Sequence, residues 1–167
     1  MKAYLMAIDT HTRGSRCDVT PLFANRKAFK RLVHDLAAPF RKVRIDAVAC
    51  IDALGFILGT AIAWELGKRI IPLRKIGKLP VPADQATFRD YTGRRKGLEL
   101  RKKSVCPGEN ILVVDEWIET GAQINAAIRL IEKQKGKIAG IVSIRMDKNR
   151  STDLIRRRHC VHTAWQE

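Results

Sequence analysis

Between residues 26 and 38 the apolar positions Ala28, Phe29, Leu32, Val33, Leu36 and Ala37 fall three or four apart, which predicts a helix with one buried face. Asn25 stands before it as an N-cap and Pro39 after it as a stop. Residues 46–51 (DAVACI) then form a nearly continuous apolar run, the pattern of a parallel strand covered on both faces, with Cys50 as a small buried hydrophobe. Residues 55–66 (GFILGTAIAWEL) predict a buried helix closed by Gly67. Further apolar runs at 70–73, 111–114 and 138–144 predict strands, and 121–135 predicts a helix with Ile124, Ala127, Ile128 and Ile131 turned inward. Ser151 is read as the cap of a short basic helix through Arg158, and 161–165 as a last edge strand. The opening MKAYLMAID, broken at Asp9, reads as a strand and not as a signal peptide. Strands alternating with helices predict an α/β fold, an open and mostly parallel sheet flanked by helices, in a single domain over 1–167.

Residues 76–110 break this rhythm with prolines, glycines and a dense basic run, and are read as an irregular excursion or hairpin covering a site, with a flexible loop at about 79–100. Composition adds a bound. The chain has 167 residues, 46% of them apolar, and no apolar run near the roughly 20 residues a membrane crossing needs, so no membrane partner and a cytoplasmic location are expected. The cysteines Cys17, Cys50, Cys106 and Cys160 are scattered, without metal-ligand spacing. A net charge of +15 attracts polyanions, whether phosphorylated small molecules or nucleic acid. For Arg94, Arg95, Lys96, Arg101, Lys102 and Lys103, and for Arg156, Arg157 and Arg158, three readings stand: a solvated face, a substrate lid and a nucleic-acid surface.

The candidate chemistry lies in ILVVDEWIETGAQ (111–123). A buried strand runs into Asp115 and Glu116, and a short loop leads to Thr120 and Gly121 at the start of a helix. Ligands of open α/β sheets bind beyond the carboxyl ends of the strands. Paired carboxylates accept hydrogen bonds from a ribose diol, and a helix N-terminus offers free N–H groups to a phosphate.

This segment resembles the loop of type I phosphoribosyltransferases that binds phosphoribosyl pyrophosphate (PRPP), in which a strand enters a pair of acids and then T-G-G-T. The resemblance to adenine phosphoribosyltransferases extends through CDVTPLF (17–23), IDAVACIDALGFILGTAIAWELGKRIIPLRKIGKLP (45–80) and KGLELRKKSVCPGENILVVDE (96–116). It implies a purine phosphoribosyltransferase of nucleobase salvage, using PRPP, a purine base and Mg²⁺, in a homodimer. Asp115 and Glu116 would meet the ribose hydroxyls directly or through Mg²⁺, with Asp115 counted among the catalytic residues. Glu119, Thr120, Gly121, Ala122 and Gln123 would cradle the 5′-phosphate. Asp52, Ala53 and Leu54 would approach the pyrophosphate, with Lys75 and Lys78 adding charge, and Arg16 and Cys17 would sit at the base pocket.

Several residues depart from the family pattern. Its D-S-R turn reads Asp52, Ala53, Leu54 here, and loss of that arginine's charge-assisted contact costs roughly 2–4 kcal/mol of transition-state stabilisation. T-G-G-T reads Thr120, Gly121, Ala122, Gln123, and the aromatic–Arg pair beside the base reads Arg16, Cys17. The loop Glu–Tyr falls near Thr92 and Gly93, with Tyr91 able to supply the aromatic. Glu119 stands where hypoxanthine-guanine enzymes place an acid, and we expect it to exchange a proton at purine N7 in place of the missing loop acid. The alternative is a catalytically degenerate member that binds PRPP or a nucleotide as a sensor and contacts nucleic acid through its basic surfaces.

Overall fold

The structure, a computed structural model, describes residues 2–13, 16–90 and 92–166. The amino-terminal segment predicted as a strand is a 3₁₀ helix, Ala3–Ala7. Its apolar residues Tyr4, Leu5 and Ile8 serve as a cap over one core and not as a sheet edge. Two helices follow, α1 (Thr20–Ala24) and α2 (Arg26–Ala37), the second capped by the Asn25 side chain, which accepts from the Ala28 N–H at 3.1 Å.

Strand β1 (Ala47–Ile51) leads into α3 (Leu54–Leu66), which Gly67 ends in a left-handed conformation. Strand β2 (Arg69–Lys75) precedes β3 (Ala83–Arg89) and β4 (Arg95–Arg101), then β5 (Asn110–Val114) and the two-residue β6 (Trp117–Ile118). The chain finishes with α4 (Ala122–Lys133), β7 (Lys137–Ser143), β8 (Arg145–Met146), α5 (Arg150–Arg158) and β9 (Val161–Thr163). Among the described residues seven strands form one sheet in the order β3-β4-β2-β1-β5-β7-β9, and β6 pairs with β8 in a second, two-stranded one. The five strands from β2 to β9 run parallel, and β3 and β4 are antiparallel additions beyond β2.

The continuous apolar runs follow from this layering. On β1, Val48 and Cys50 pack toward α2 and α3, while Ala47, Ala49 and Ile51 pack toward α4; on β5, Leu112 and Val114 divide from Ile111 and Val113 in the same way. Each strand is sealed on both faces, so polar residues are displaced to its ends. Helix α3 lies close over the sheet: a Cβ on Gly59 would collide with the Cys50 sulfur and stand 3.0 Å from its Cβ. Burial pushes the Cys50 thiol up to about 12, so it packs as a neutral group.

One reading is borne out and one expectation corrected. The hairpin reading of residues 76–110 holds over 83–101, where β3 and β4 pair with each other and β4 pairs with β2 through Arg74↔Glu99 and Lys75↔Leu98. Its apolar positions alternate too sparsely to read as a covered strand. The cap of α5 is Asn149 and not Ser151: the Asn149 side chain accepts from the Ser151 and Thr152 N–H groups, and the Thr152 hydroxyl accepts from the Asn149 N–H. Buried Glu99 on β4 fixes the turn after β2, accepting from the N–H groups of Lys78 at 2.7 Å and Leu79 at 2.6 Å and from the Gln85 amide at 3.3 Å. Burial pushes its carboxyl up, but the backbone donors of Gly77, Leu79 and Lys78 outweigh this and hold it below the usual range.

Gly59→Val should destabilise the protein by about 2–3 kcal/mol through overpacking. Combining it with Cys50→Ala should recover part of that loss in a double-mutant cycle read by denaturant unfolding. Glu99→Gln should lower the unfolding midpoint at neutral pH. The stabilisation it removes is complete above the ordinary Glu value of about 4.3 and vanishes as falling pH protonates the native carboxylate, so thermal melts of parent and variant should converge in acid.

Candidate functional site

Strands β1 and β5 pair in register up to Cys50↔Val114, so their carboxyl ends open side by side. One chain turns there through Asp52 and Ala53, joined by a cis peptide, into α3; the other passes from Asp115 to Gly121 into α4. Gly55 permits the approach, because a Cβ there would stand 3.1 Å from the Val114 carbonyl and 3.2 Å from Asp115 Oδ1.

Asp115 and Glu116 are nearly sealed from solvent, 3% and 7% exposed. Asp115 accepts from the Glu116 N–H at 2.9 Å and from the Gln123 amide at 3.0 Å. The Arg16 guanidinium donates to the Glu116 carboxylate from a hundred residues upstream. Burial, and then the negative charge of Glu116, push the Asp115 carboxyl well above the usual range. The pair is therefore poised to gain from a cation or from hydroxyl donors.

The loop beyond is held from beneath. Trp117 and Ile118 are buried by pairing with β8, and the Trp117 indole donates to Asp147 at 3.3 Å. The Arg145 guanidinium lies 5.3 Å from the Trp117 ring and 4.8 Å from the Trp165 ring. The Asn149 amide donates to the Glu119 carbonyl at 2.7 Å. Gly121, with φ +74°, turns the chain into α4, and a Cβ there would stand 2.6 Å from Ile155 of α5. These contacts aim the N-terminus of α4, with its free N–H groups and partial positive charge, at the site.

Two cavities meet there. The first is lined by Asp115, Ile118, Glu119, Thr120 and Gly121 from the loop, and by Phe88 and Asp90 from the hairpin. The second, of about 310 Å³, lies between Asp52, Ala53 and Leu54 on one side and Arg16, Lys75 and Lys96 on the other. Trp117, Gln123 and Arg16 border both. Burial foremost, with the charges of Asp147, Glu116 and Asp90 against the opposing pull of Arg16, raises the Glu119 carboxyl above its ordinary value. Asp90 is held well below the usual range, first by Lys96 at 2.6 Å, then by the Thr92 hydroxyl at 2.6 Å.

The residues singled out in the sequence divide accordingly. Asp115, Glu119, Thr120, Gly121 and Gln123 gather around the first cavity; Glu116, Asp52, Ala53, Leu54, Lys75, Arg16 and Cys17 gather around the second. Ala122 and Lys78 line neither: the Ala122 N–H is given to the Thr120 hydroxyl at 3.3 Å and the Lys78 N–H to Glu99. Thr92 and Gly93 occupy the hairpin turn and line neither cavity, and Tyr91 lies outside the described residues. The acid that does reach the first cavity from the hairpin is Asp90, which sequence reasoning passed over; the available signal was an acid directly before Tyr91. Phe88 gave no signal, since a lone aromatic in a basic stretch has no periodic partner.

Comparison with known proteins bears on the family and the fold. A family model for the phosphoribosyl transferase domain matches residues 22–164. The adenine phosphoribosyltransferase of Chromohalobacter salexigens is 36% identical over 127 residues, covering 76% of this chain and 70% of that protein. The adenine phosphoribosyltransferase of Nitrosococcus oceani is 39% identical over 122 residues, covering 73% and 71%. The crystal structure of adenine phosphoribosyltransferase from Thermoanaerobacter pseudethanolicus superposes with a TM-score of 0.82 at 28% identity, over 95% of this chain and 94% of that one. The Saccharomyces cerevisiae enzyme, complexed with an imino-altritol bisphosphate and adenine, superposes with a TM-score of 0.81 at 26% identity, over 99% and 100%. With the fold, the acid-to-helix loop and these matches in agreement, the chain belongs to the phosphoribosyl transferase domain family.

Proposed function

We propose that the chain is a purine phosphoribosyltransferase of the adenine type, which joins a purine nitrogen to ribose C1 of PRPP and expels pyrophosphate. The observation that carries this reading is the junction of the two cavities at the buried pair Asp115 and Glu116, with the N-terminus of α4 on one side and the Asp52, Ala53, Leu54 turn on the other. In this reading Asp115 and Glu116 hold the ribose. The backbone from Glu119 to Gln123 holds the 5′-phosphate, with Gly121 and Ala122 contributing main chain. The Asp52 turn and Lys75 attend the pyrophosphate, with Lys78, which lines neither cavity, adding charge only from the turn after β2, and Arg16 and Cys17 border the base. Ligands named for the Saccharomyces cerevisiae relative, a sugar-like bisphosphate and adenine, support a site for a phosphorylated sugar and a purine.

The carboxylate pair fits Mg²⁺. Among the described residues no cluster of three or more His, Cys, Asp or Glu is placed to hold a metal. A pair suits Mg²⁺, which takes one or two carboxylates and leaves its other positions to water and phosphate oxygens. Asp115 and Glu116 would hold the ion, and it would supply positive charge toward the pyrophosphate when bound. Glu119, whose raised carboxyl sits between the loop and the hairpin, exchanges the proton at purine N7.

The homodimer draws support from α3. Its sequence, LGFILGTAIAWEL, is apolar almost all round, the character of a helix covered on every side. Yet Ile57 is 47% and Trp64 88% exposed, and exposed Ile70 and Pro72 of β2 lie on the same side of the sheet. A second copy covering this face is our reading. The exposed cations Arg94, Arg95, Arg101, Lys102 and Lys103 serve mainly to attract PRPP, and salt-dependent retention of nucleic acid would measure any second use. No helix among the described residues is long and apolar enough to cross a membrane; a cytoplasmic location accords with water-soluble substrates.

Incubation with PRPP, Mg²⁺ and a panel of purines should release pyrophosphate with at least one base, adenine first. Glu119→Gln should lower kcat by roughly 10²–10⁴-fold. Binding of PRPP without release for any base would replace this reading with the non-catalytic sensor. Trp64→Asp should shift the molar mass from dimer to monomer in light scattering, and an unchanged mass would rule α3 out as the interface.

A further inference from the structure

The second cavity faces a polyphosphate with fewer free cations than its composition suggests. Leu54, at the closest turn, is uncharged. Of the two cations at the end of β2 only Lys75 lines the cavity, and both meet one carboxylate: Arg74 Nε lies 3.3 Å from Asp52 Oδ2, and Lys75 Nζ 3.9 Å from Asp52 Oδ1. Arg16 is likewise committed to Glu116.

Lys96 is placed differently. It comes from the hairpin, opposite Phe88 in the β3–β4 register, so the two side chains share a face. Phe88 and Asp90 line the first cavity while Lys96 lines the second. The ion pair of Lys96 Nζ with Asp90 Oδ2, at 2.6 Å, thus spans the junction between them. The Lys96 side chain is 53% exposed and that of Asp90 9%, so the ammonium stays reachable from the cavity while its partner is covered. A pyrophosphate group carries more charge than one carboxylate and outcompetes it for an ammonium on a flexible stem.

We propose that Lys96 is the exchangeable cation of the pyrophosphate subsite, held by Asp90 when the cavity is empty and passed to the diphosphate when it fills, supplying from the hairpin the charge that Leu54 leaves out of the turn. The exchange moves no covalent bond. It leaves Asp90 free toward the base side at the moment the diphosphate is gripped, so the two cavities are coupled through one side chain. This inference rests on the PRPP reading of the site.

Calorimetric titration of the full chain with magnesium pyrophosphate, and separately with ribose 5-phosphate, tests it. Lys96→Ala should weaken pyrophosphate about 10–100-fold, the loss of one charge-assisted contact. It should leave ribose 5-phosphate unchanged, which also reports that the variant is folded. Lys96→Arg, and Leu54→Arg placed in the Lys96→Ala background, should each restore pyrophosphate binding. Unchanged pyrophosphate affinity in Lys96→Ala overturns the inference, as does an equal loss for both ligands, or a loss that neither arginine restores. A parent protein that binds neither ligand sinks the phosphoribosyltransferase reading itself and the inference with it.

Discussion

Asp115 and Glu116 leave the carboxyl end of β5 with almost no access to water, directly after four residues sealed on both faces of the sheet. Two adjacent carboxylates in such a place repel one another and lose hydration, and no apolar neighbour compensates either effect. The surrounding structure is arranged to do so. Gln123 returns from α4 to one acid and Arg16 arrives from the amino-terminal segment at the other. Gly55 and Gly121 let backbone and α5 close in where a side chain would not fit. The compensation is partial, since the Asp115 carboxyl stays raised.

The hairpin shows how the fold places a second wall over these acids. Because β4 pairs antiparallel with β2, beyond the parallel strands, β3 and β4 project past the carboxyl edge and bring Phe88, Asp90 and Lys96 to the mouth of the site. Glu99 anchors this arrangement by gathering the backbone donors after β2, and so fixes where Lys75 and the hairpin stand relative to each other. Positioning and charge are thereby separated. Glu99 is buried and structural; Lys96 and Lys75 are exposed at the cavity, each beside an acid, Asp90 and Asp52.

The departures from the family pattern gain a physical setting. At Leu54 the turn loses an arginine, yet Arg74, Lys75 and Lys96 surround the same turn from β2 and β4. At Ala122 the second glycine is missing, but the left-handed conformation that requires glycine falls on Gly121, and Ala122 already lies within α4. Neither change alters the turn into α4 or leaves the Asp52 turn without neighbouring cations.

By itself the sequence determined the parallel strands and the helices between them, because strands covered on both faces must be apolar throughout and helices packed on one side must repeat near 3.6 residues. It also determined the acid-to-helix loop, since two adjacent carboxylates at the end of such a strand are a local and visible signal. It misread the Ala3–Ala7 segment, whose short apolar run suits a strand and a 3₁₀ turn equally, and it left the hairpin as one of two readings, because its strands are half exposed and rich in Arg and Lys. Only the tertiary structure decided which of the many cations face the ligand. Arg16 meets Glu116, Arg74 and Lys75 meet Asp52, and Lys96 meets Asp90, across separations of 100, about 22 and 6 residues. No spacing rule connects the first two; the crossing of the chain at the carboxyl edge of the sheet does, while the hairpin register sets the third.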